Sequence, residues 1–372
     1  MLAILACLHI LLQPSHALWE HISFFSTADP HEHPAAGKIE LLVPTGPFCI
    51  GTKIYDWVDN SRPEQASSKP GEFRQVIVQV WYPTKDGGGS TASYVPKLEA
   101  YRHVWDDTQV EAASRVLTHA HLNDKPLLGS QFPVVLFSHG WEGTRTEYTS
   151  IAEDLASHGY AVFGIDHPYM GRIALPNGQV TEATENQFRS PGEIRKYYGQ
   201  DVKFVIDQIS KLNGGEPDGT FSGRLNVSLV AAIGHSSGFV AASAACTIDR
   251  RITACVNVDA PGFSAADLSG MKQPLLWIRM EKAGPVPAEF LKSRSESVYE
   301  LQLMDAKHGS VEDWDYIEAE SEQQRTAASQ RLQVLRKYLG AFLGKYLKGK
   351  QSDLLERKPA NPDLTIKIYS PR

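Results

Sequence analysis

Gly234-His235-Ser236-Ser237-Gly238 is a Gly-x-Ser-x-Gly pentapeptide lying between an apolar run, Val227 to Ile233, and an Ala-rich stretch of helical character. A serine at such a strand-to-helix turn has a strained backbone and a hydroxyl exposed at a helix N-terminus, which is the setting of a nucleophile. The pentapeptide alone is common by chance; the strand before it and the helix after it make it informative. A serine needs a base to take its proton. In chains of this kind the base follows the nucleophile, and of thirteen histidines only His308 does so, in the loop Asp305-Ala306-Lys307-His308-Gly309. It would take the Ser236 proton and pass it to a leaving alcohol. A plain surface-loop histidine is the alternative.

The third member is ambiguous from the residues alone. Asp259 ends the predicted strand Ile252 to Val258, and Glu281 ends the next, Leu275 to Met280. Glu281 follows the later strand, where such folds usually carry their acid; Asp259 is shorter and opens a tight Ala260-Pro261-Gly262 loop. The other is an ordinary strand-end carboxylate. An oxyanion needs two backbone N–H groups, one from the residue after the nucleophile, here Ser237. The second is expected from Trp141, in Phe137-Ser138-His139-Gly140-Trp141 at the end of an earlier strand. The Trp141 indole either walls an acyl pocket or packs as a core aromatic, and His139 reads as a structural loop residue.

These residues need a scaffold that brings distant chain segments to one edge. From Phe132 onward short apolar runs alternate with helical periodicity: Pro133 to Ser138, helix Tyr148 to His158, strand Tyr160 to Ile165, helix Pro191 to Leu212, and strand Val227 to Ile233. A helix from Ser237, strands Ile252 to Val258, Leu275 to Met280 and Val298 to Met304, and a helix Glu322 to Leu347 complete the series. Strand, helix, strand in this order predicts an α/β fold with a mostly parallel central sheet and helices on both faces. Gln75 to Pro83 reads as an earlier strand. The expected organisation is a leader over 1–17, a surface-wrapping segment over 18–70, a catalytic domain over 71–350 and a C-terminal tail over 351–372.

The chain has 372 residues, is 42% hydrophobic and 22% charged, and carries a net charge of −6. That composition suits a globular protein with a large core. It lacks the basic balance that replaces phosphate counterions, so nucleic acid is not an expected partner. The basic residues between Arg331 and Lys350 alternate with apolar ones at helical spacing and read as a solvated helix face. Leu2 to Leu12 is apolar and precedes small residues at Ser15 and Ala17, as in a signal peptide, although no Lys or Arg comes before it. A secreted or periplasmic location is the expectation. Cys246 and Cys255 flank a polar turn and are either bridged or two buried thiols.

Taken together, several segments resemble the secreted platelet-activating factor acetylhydrolase family. They are Thr45 to Phe48, Val80 to Pro83, Phe137 to Arg145, Asp154 to Tyr160, Gly234 to Gly238, Val258-Asp259-Ala260 and His308. The resemblance covers about residues 45 to 345. It implies the α/β-hydrolase fold and calcium-independent removal of short acyl chains from phospholipids through an acyl-enzyme. It favours Asp259 over Glu281 as the acid, implies no cofactor, and makes an ester or phospholipid the substrate, met at a lipid surface. Ser237 and Phe239 depart from the family pattern and are expected to alter the acyl side of the pocket. A general carboxylesterase, a cutinase-like polyester hydrolase and a catalytically inactive binding module of the same fold are the alternatives.

Overall fold

The computed structural model describes residues 37–371, apart from 68 and 185–189. The leader expected over 1–17 lies outside the described residues. A 12-stranded mixed sheet contains β1 (Ile39–Glu40), β2 (Cys49–Pro63), β3 (Phe73–Thr84), β4 (Thr91–Ser93), β5 (Val116–Leu122) and β6 (Phe132–Ser138). It continues with β7 (Ala161–Asp166), β8 (Leu225–His235), β9 (Ile252–Val258), β10 (Leu275–Arg279), β11 (Val298–Leu303) and β12 (Leu364–Tyr369). The helices are α1 (Leu98–Tyr101), α2 (Asp107–Arg115), α3 (Thr149–Ser157), α4 (Pro191–Gly214), α5 (Gly238–Ile248), α6 (Ala288–Lys292), α7 (Trp314–Ile317) and α8 (Glu322–Lys348).

The strand order is β1-β5-β2-β3-β7-β6-β8-β9-β10-β11-β12, with β4 against β5. From β7 to β11 all neighbours are parallel. Successive side chains of a strand point to opposite faces. Val134 and Leu136 therefore join one core with Tyr198, Val202 and Val205 of α4 and Phe239 and Ala242 of α5. Val135 and Phe137 join a second core with Ile151 and Leu155 of α3 and Leu332, Leu335 and Leu339 of α8. A strand covered on both faces has to be apolar throughout, which is why Phe132–Ser138 reads as an unbroken run.

Caps fix the long helices. Ser190 accepts a hydrogen bond from the Glu193 N–H ahead of α4, whose first residue is Pro191, and Ser321 does the same from Gln324 ahead of α8. Gly215 and Gly349 end them in the left-handed region.

Two stretches differ from the sequence expectation. Residues 49–63, assigned to a surface wrap because of the Pro, Gly and polar content around them, form β2, which pairs antiparallel with β3 along nearly its whole length. Ile50, Thr52 and Ile54, β-branched at every second position, already carried a strand signal. Within the expected tail, Leu364–Tyr369 returns as β12, antiparallel to β11 at the sheet edge. The basic helix face is also not wholly solvated: Arg336 is buried and donates to the carbonyls of Leu42, Val43 and Ser150.

Candidate active site

The chain leaves β6 towards β7 on one side of the sheet and β8 towards β9 on the other, so the crevice of this parallel sheet opens between β6 and β8. In the register Ser138 pairs with Gly234. The loop after β6 and the turn after β8 therefore meet at the carboxyl edge, and the next strand ends bring in the remaining groups.

Ser236 has φ 52°, in the left-handed region. The turn holds this conformation because its flanking glycines are crowded. A Cβ on Gly234 would lie 2.3 Å from the Phe239 nitrogen, and one on Gly238 would lie 2.2 Å from the Ser138 oxygen. The Ser236 N–H donates to Val258 O at 3.0 Å, which ties the turn to β9.

His308 Nε2 lies 2.9 Å from Ser236 Oγ, and its Nδ1 lies 2.8 Å from Asp259 Oδ2. Asp259 also has a left-handed backbone, φ 49°, and its fully buried carboxylate accepts three backbone N–H groups. Oδ1 accepts from Met280 (2.7 Å) and Ala283 (2.9 Å), and Oδ2 from Lys282 (3.0 Å). Burial alone would raise its pKa. The His308 hydrogen bond and these amides outweigh burial and hold it below the ordinary carboxylate value. Glu281, the rival acid, is exposed, and its Oε2 accepts the backbone N–H of His308 at 3.2 Å. It holds the loop, whereas Asp259 holds the imidazole.

The N–H groups of Trp141 and Ser237 donate to no protein acceptor among the described residues. The loop carrying Trp141 is fastened at each end. His139 Nδ1 donates to Gly140 O at 2.7 Å and its Nε2 accepts the His167 N–H at 3.0 Å, and Gly140 N–H donates to Tyr148 Oη at 3.2 Å. Arg145 donates through its backbone N–H (2.7 Å) and its guanidinium to Asp166. Burial and neighbouring His167 push the His139 pKa down to about 3, so its ring is neutral and has one donor and one acceptor nitrogen. This agrees with a structural part for His139.

Trp141 is half-buried against the core that contains α4 and α5. Phe239 is fully buried, with Phe263 at 4.9 Å and Trp277 at 5.8 Å between ring centres. It therefore packs beneath the site and is not part of the acyl wall, contrary to the expectation from its departure in sequence. Cys246 and Cys255 are bridged, between the end of α5 and β9.

Sequence reasoning missed the support behind the loop. His167 Nδ1 lies 2.9 Å from Asp201 Oδ2, and its Nε2 lies 3.0 Å from Ser138 Oγ. Asp201 also receives Arg74 (3.0 and 2.6 Å) and Arg62 (2.8 Å), and all three residues of this Ser-His-Asp series are buried. The available signal was His167 directly after an apolar strand, at the same edge as Ser236. A separate cavity of about 830 Å³, lined by residues such as Leu41, Gln333 and Lys348, includes none of these groups.

A family model described as platelet-activating factor acetylhydrolase, isoform II, matches residues 69–195. A probable 1-alkyl-2-acetylglycerophosphocholine esterase of Arthroderma benhamiae is 27% identical over 262 residues, covering 63% of this chain and 63% of that protein. The platelet-activating factor acetylhydrolase of Cavia porcellus is 26% identical over 242 residues, covering 55% of each chain. The chain thus spans less than two thirds of the length of these relatives. A ferulic acid esterase from Streptomyces cinnamoneus superposes with a TM-score of 0.71 at 25% identity, covering 89% of this chain and 99% of that one. In sequence the chain is similar to the platelet-activating factor acetylhydrolases, and its fold is that of an α/β-hydrolase.

Proposed function

We propose that this chain is a serine esterase that hydrolyses short-acyl esters, short-acyl phospholipids among them, through an acyl-enzyme on Ser236. The observation that carries the reading is the unbroken series Ser236 Oγ, His308, Asp259, ending on three backbone amides. His308 Nε2 takes the hydroxyl proton as Oγ attacks the ester carbonyl, and Asp259 stabilises the imidazolium that forms. The negative charge on the carbonyl oxygen falls to the free N–H groups of Trp141 and Ser237. His308 returns the proton to the leaving alcohol. Water, deprotonated by the same nitrogen, then attacks the acyl-enzyme, and collapse releases the acid and restores Ser236.

The relatives' names support the acetylated phospholipid as substrate, and the ferulic acid esterase neighbour supports a second reading, an esterase for soluble aryl or hydroxycinnamoyl esters. The short apolar leader and the Cys246–Cys255 bridge support an exported protein. The substrate would then be met at an outer lipid surface; no helix among the described residues is long and apolar enough to cross a membrane.

The test is hydrolysis, with calcium chelated, of a 2-acetyl phospholipid, p-nitrophenyl butyrate and methyl ferulate by wild type and Ser236→Ala. Phospholipid turnover lost in the variant supports the first reading, and turnover of methyl ferulate alone moves the function to the second. Turnover of any of them by Ser236→Ala at the wild-type rate would exclude both.

A further inference from the structure

We infer that Tyr148 and His235 are positioning residues that brace the oxyanion loop against the base through a buried hydrogen-bond chain; this rests on the esterase reading above. His235 immediately precedes the nucleophile, yet it is 1% exposed, and its ring nitrogens bond neither Ser236 Oγ nor the His308 imidazole. Its Nε2 lies 3.1 Å from the backbone carbonyl of His308. A carbonyl only accepts, so Nε2 carries the proton, and in a neutral ring Nδ1 must then accept. Burial and the nearby His308 keep the ring neutral. The Tyr148 hydroxyl lies 2.9 Å from Nδ1 and supplies that proton, while its oxygen accepts the Gly140 N–H at 3.2 Å.

The chain therefore runs Gly140 N–H, Tyr148 Oη, His235, His308 C=O. One end is the residue whose following peptide bond carries the Trp141 N–H, and the other is the backbone of the base. The parts are in direct contact: a Cβ on Gly140 would lie 3.2 Å from His235 Nδ1 and 3.4 Å from Ser236 Cβ. Tyr148 is itself held by Phe137, with ring centres 4.5 Å apart, and His235 lies 4.7 Å from the His308 ring. The other polar neighbour is Glu312, whose Oε1 lies 3.4 Å from Nδ1 and whose carboxyl also hydrogen-bonds Tyr148. Burial pushes its pKa up to about 8, so it is protonated, can donate to the hydroxyl oxygen and leaves the Tyr148 proton to Nδ1. Tyr148 and His235 are both about 1% exposed, so neither side chain faces the solvent from which a substrate would arrive. A brace that sets the spacing of oxyanion donor and base acts on the transition state and leaves ground-state binding alone.

The test uses Tyr148→Phe, which deletes only the hydroxyl, and His235→Gln, whose amide nitrogen can still reach the His308 carbonyl but offers no ring acceptor to Tyr148. With p-nitrophenyl butyrate, Tyr148→Phe should lower kcat by about tenfold to a hundredfold with KM within about twofold. The double variant should lose no more than the worse single variant, because one broken link already opens the chain. Melting temperatures check that each variant folds. Phosphonate labelling of Ser236 should slow in Tyr148→Phe in parallel with kcat. An active wild type with unchanged kcat in Tyr148→Phe, or losses that multiply in the double variant, overturns the brace alone. A wild type that neither turns over nor takes the phosphonate overturns the esterase reading, and the brace with it.

Discussion

Asp259 reaches His308 through its imidazole and Glu281 reaches it through its backbone, with Oδ2 at 2.8 Å from Nδ1 and Oε2 at 3.2 Å from the amide nitrogen. The two carboxylates that sequence left as rivals thus divide the work on one residue. Asp259→Asn would present an amide that can donate to Nδ1 and stabilise the wrong tautomer. It should cut kcat by about 10³- to 10⁴-fold. Glu281→Gln keeps an acceptor for the His308 N–H and should lose less than about tenfold. Steady-state rates of both on p-nitrophenyl butyrate decide this, and equal losses would return Glu281 to the acid's place.

Gly238 is where the Ser236 turn presses on the end of β6. A Cβ there would stand 2.2 Å from Ser138 O and 2.4 Å from His139 O, both backbone atoms that no rotamer change can move. Gly238→Ala should therefore shift the turn or the loop and abolish most turnover even in protein that still folds. Circular dichroism together with phosphonate labelling of Ser236 reads the two effects apart; an alanine variant with wild-type kcat would show that the loop yields freely.

The network under the loop makes a stability prediction. Asp201 is fully buried, with Arg74 on both carboxylate oxygens, Arg62 on Oδ1 and His167 on Oδ2, and its pKa is held far below the ordinary range: burial opposes this, but the Arg74 charge and the His167 hydrogen bond prevail. Asp201→Asn leaves Arg74, itself 0% exposed, without its main counter-charge. The cost should be about 3–5 kcal/mol, read from urea unfolding. Because one amide oxygen must then serve the donors that two carboxylate oxygens served, the hold on His167, and through its N–H on His139, slackens, and kcat should fall more than KM rises.

The parallel half of the fold was legible because a strand covered on both faces leaves an apolar run of strand length, as Phe132–Ser138 and Ile252–Val258 do. Ser236 and His308 were legible for a different reason: the Gly-x-Ser-x-Gly turn is a local backbone requirement, and only one histidine follows it. The choice of acid rested on resemblance, since Asp259 is selected by three amides of the 280–283 loop, contacts that sequence order does not reveal. The β2 strand was obscured because its long pairing with β3 is antiparallel and partly exposed, which permits polar residues at every second position. Tyr148, His235, His167 and Asp201 were illegible because long-range hydrogen bonds between buried polar groups leave no period along the chain.

Asp313 offers a pH-dependent test of this buried polar layer. It is 0% exposed, its Oδ2 accepts the Ser150 N–H at 3.1 Å, and its Oδ1 has no partner among the described residues. Burial raises its pKa from 3.8 to about 7, with Arg336 opposing and Glu153 reinforcing the shift. The folded chain thus binds this proton more tightly than the unfolded chain. Its contribution to stability is complete below about pH 4, declines as pH rises and is gone above about pH 7. His139 acts in the opposite sense, since a pKa of about 3 in the folded chain costs stability as pH falls below about 6.5. That loss is common to wild type and an Asp313 variant and cancels in their difference. Asp313→Asn mimics the protonated group at every pH, so its melting temperature should gain on that of wild type by a few degrees as pH is raised from about 4 to about 8, where the wild type must ionise the buried group. Melting curves of the pair across that range measure the difference directly, and a gap that stays constant with pH would mean that Asp313 is ionised throughout.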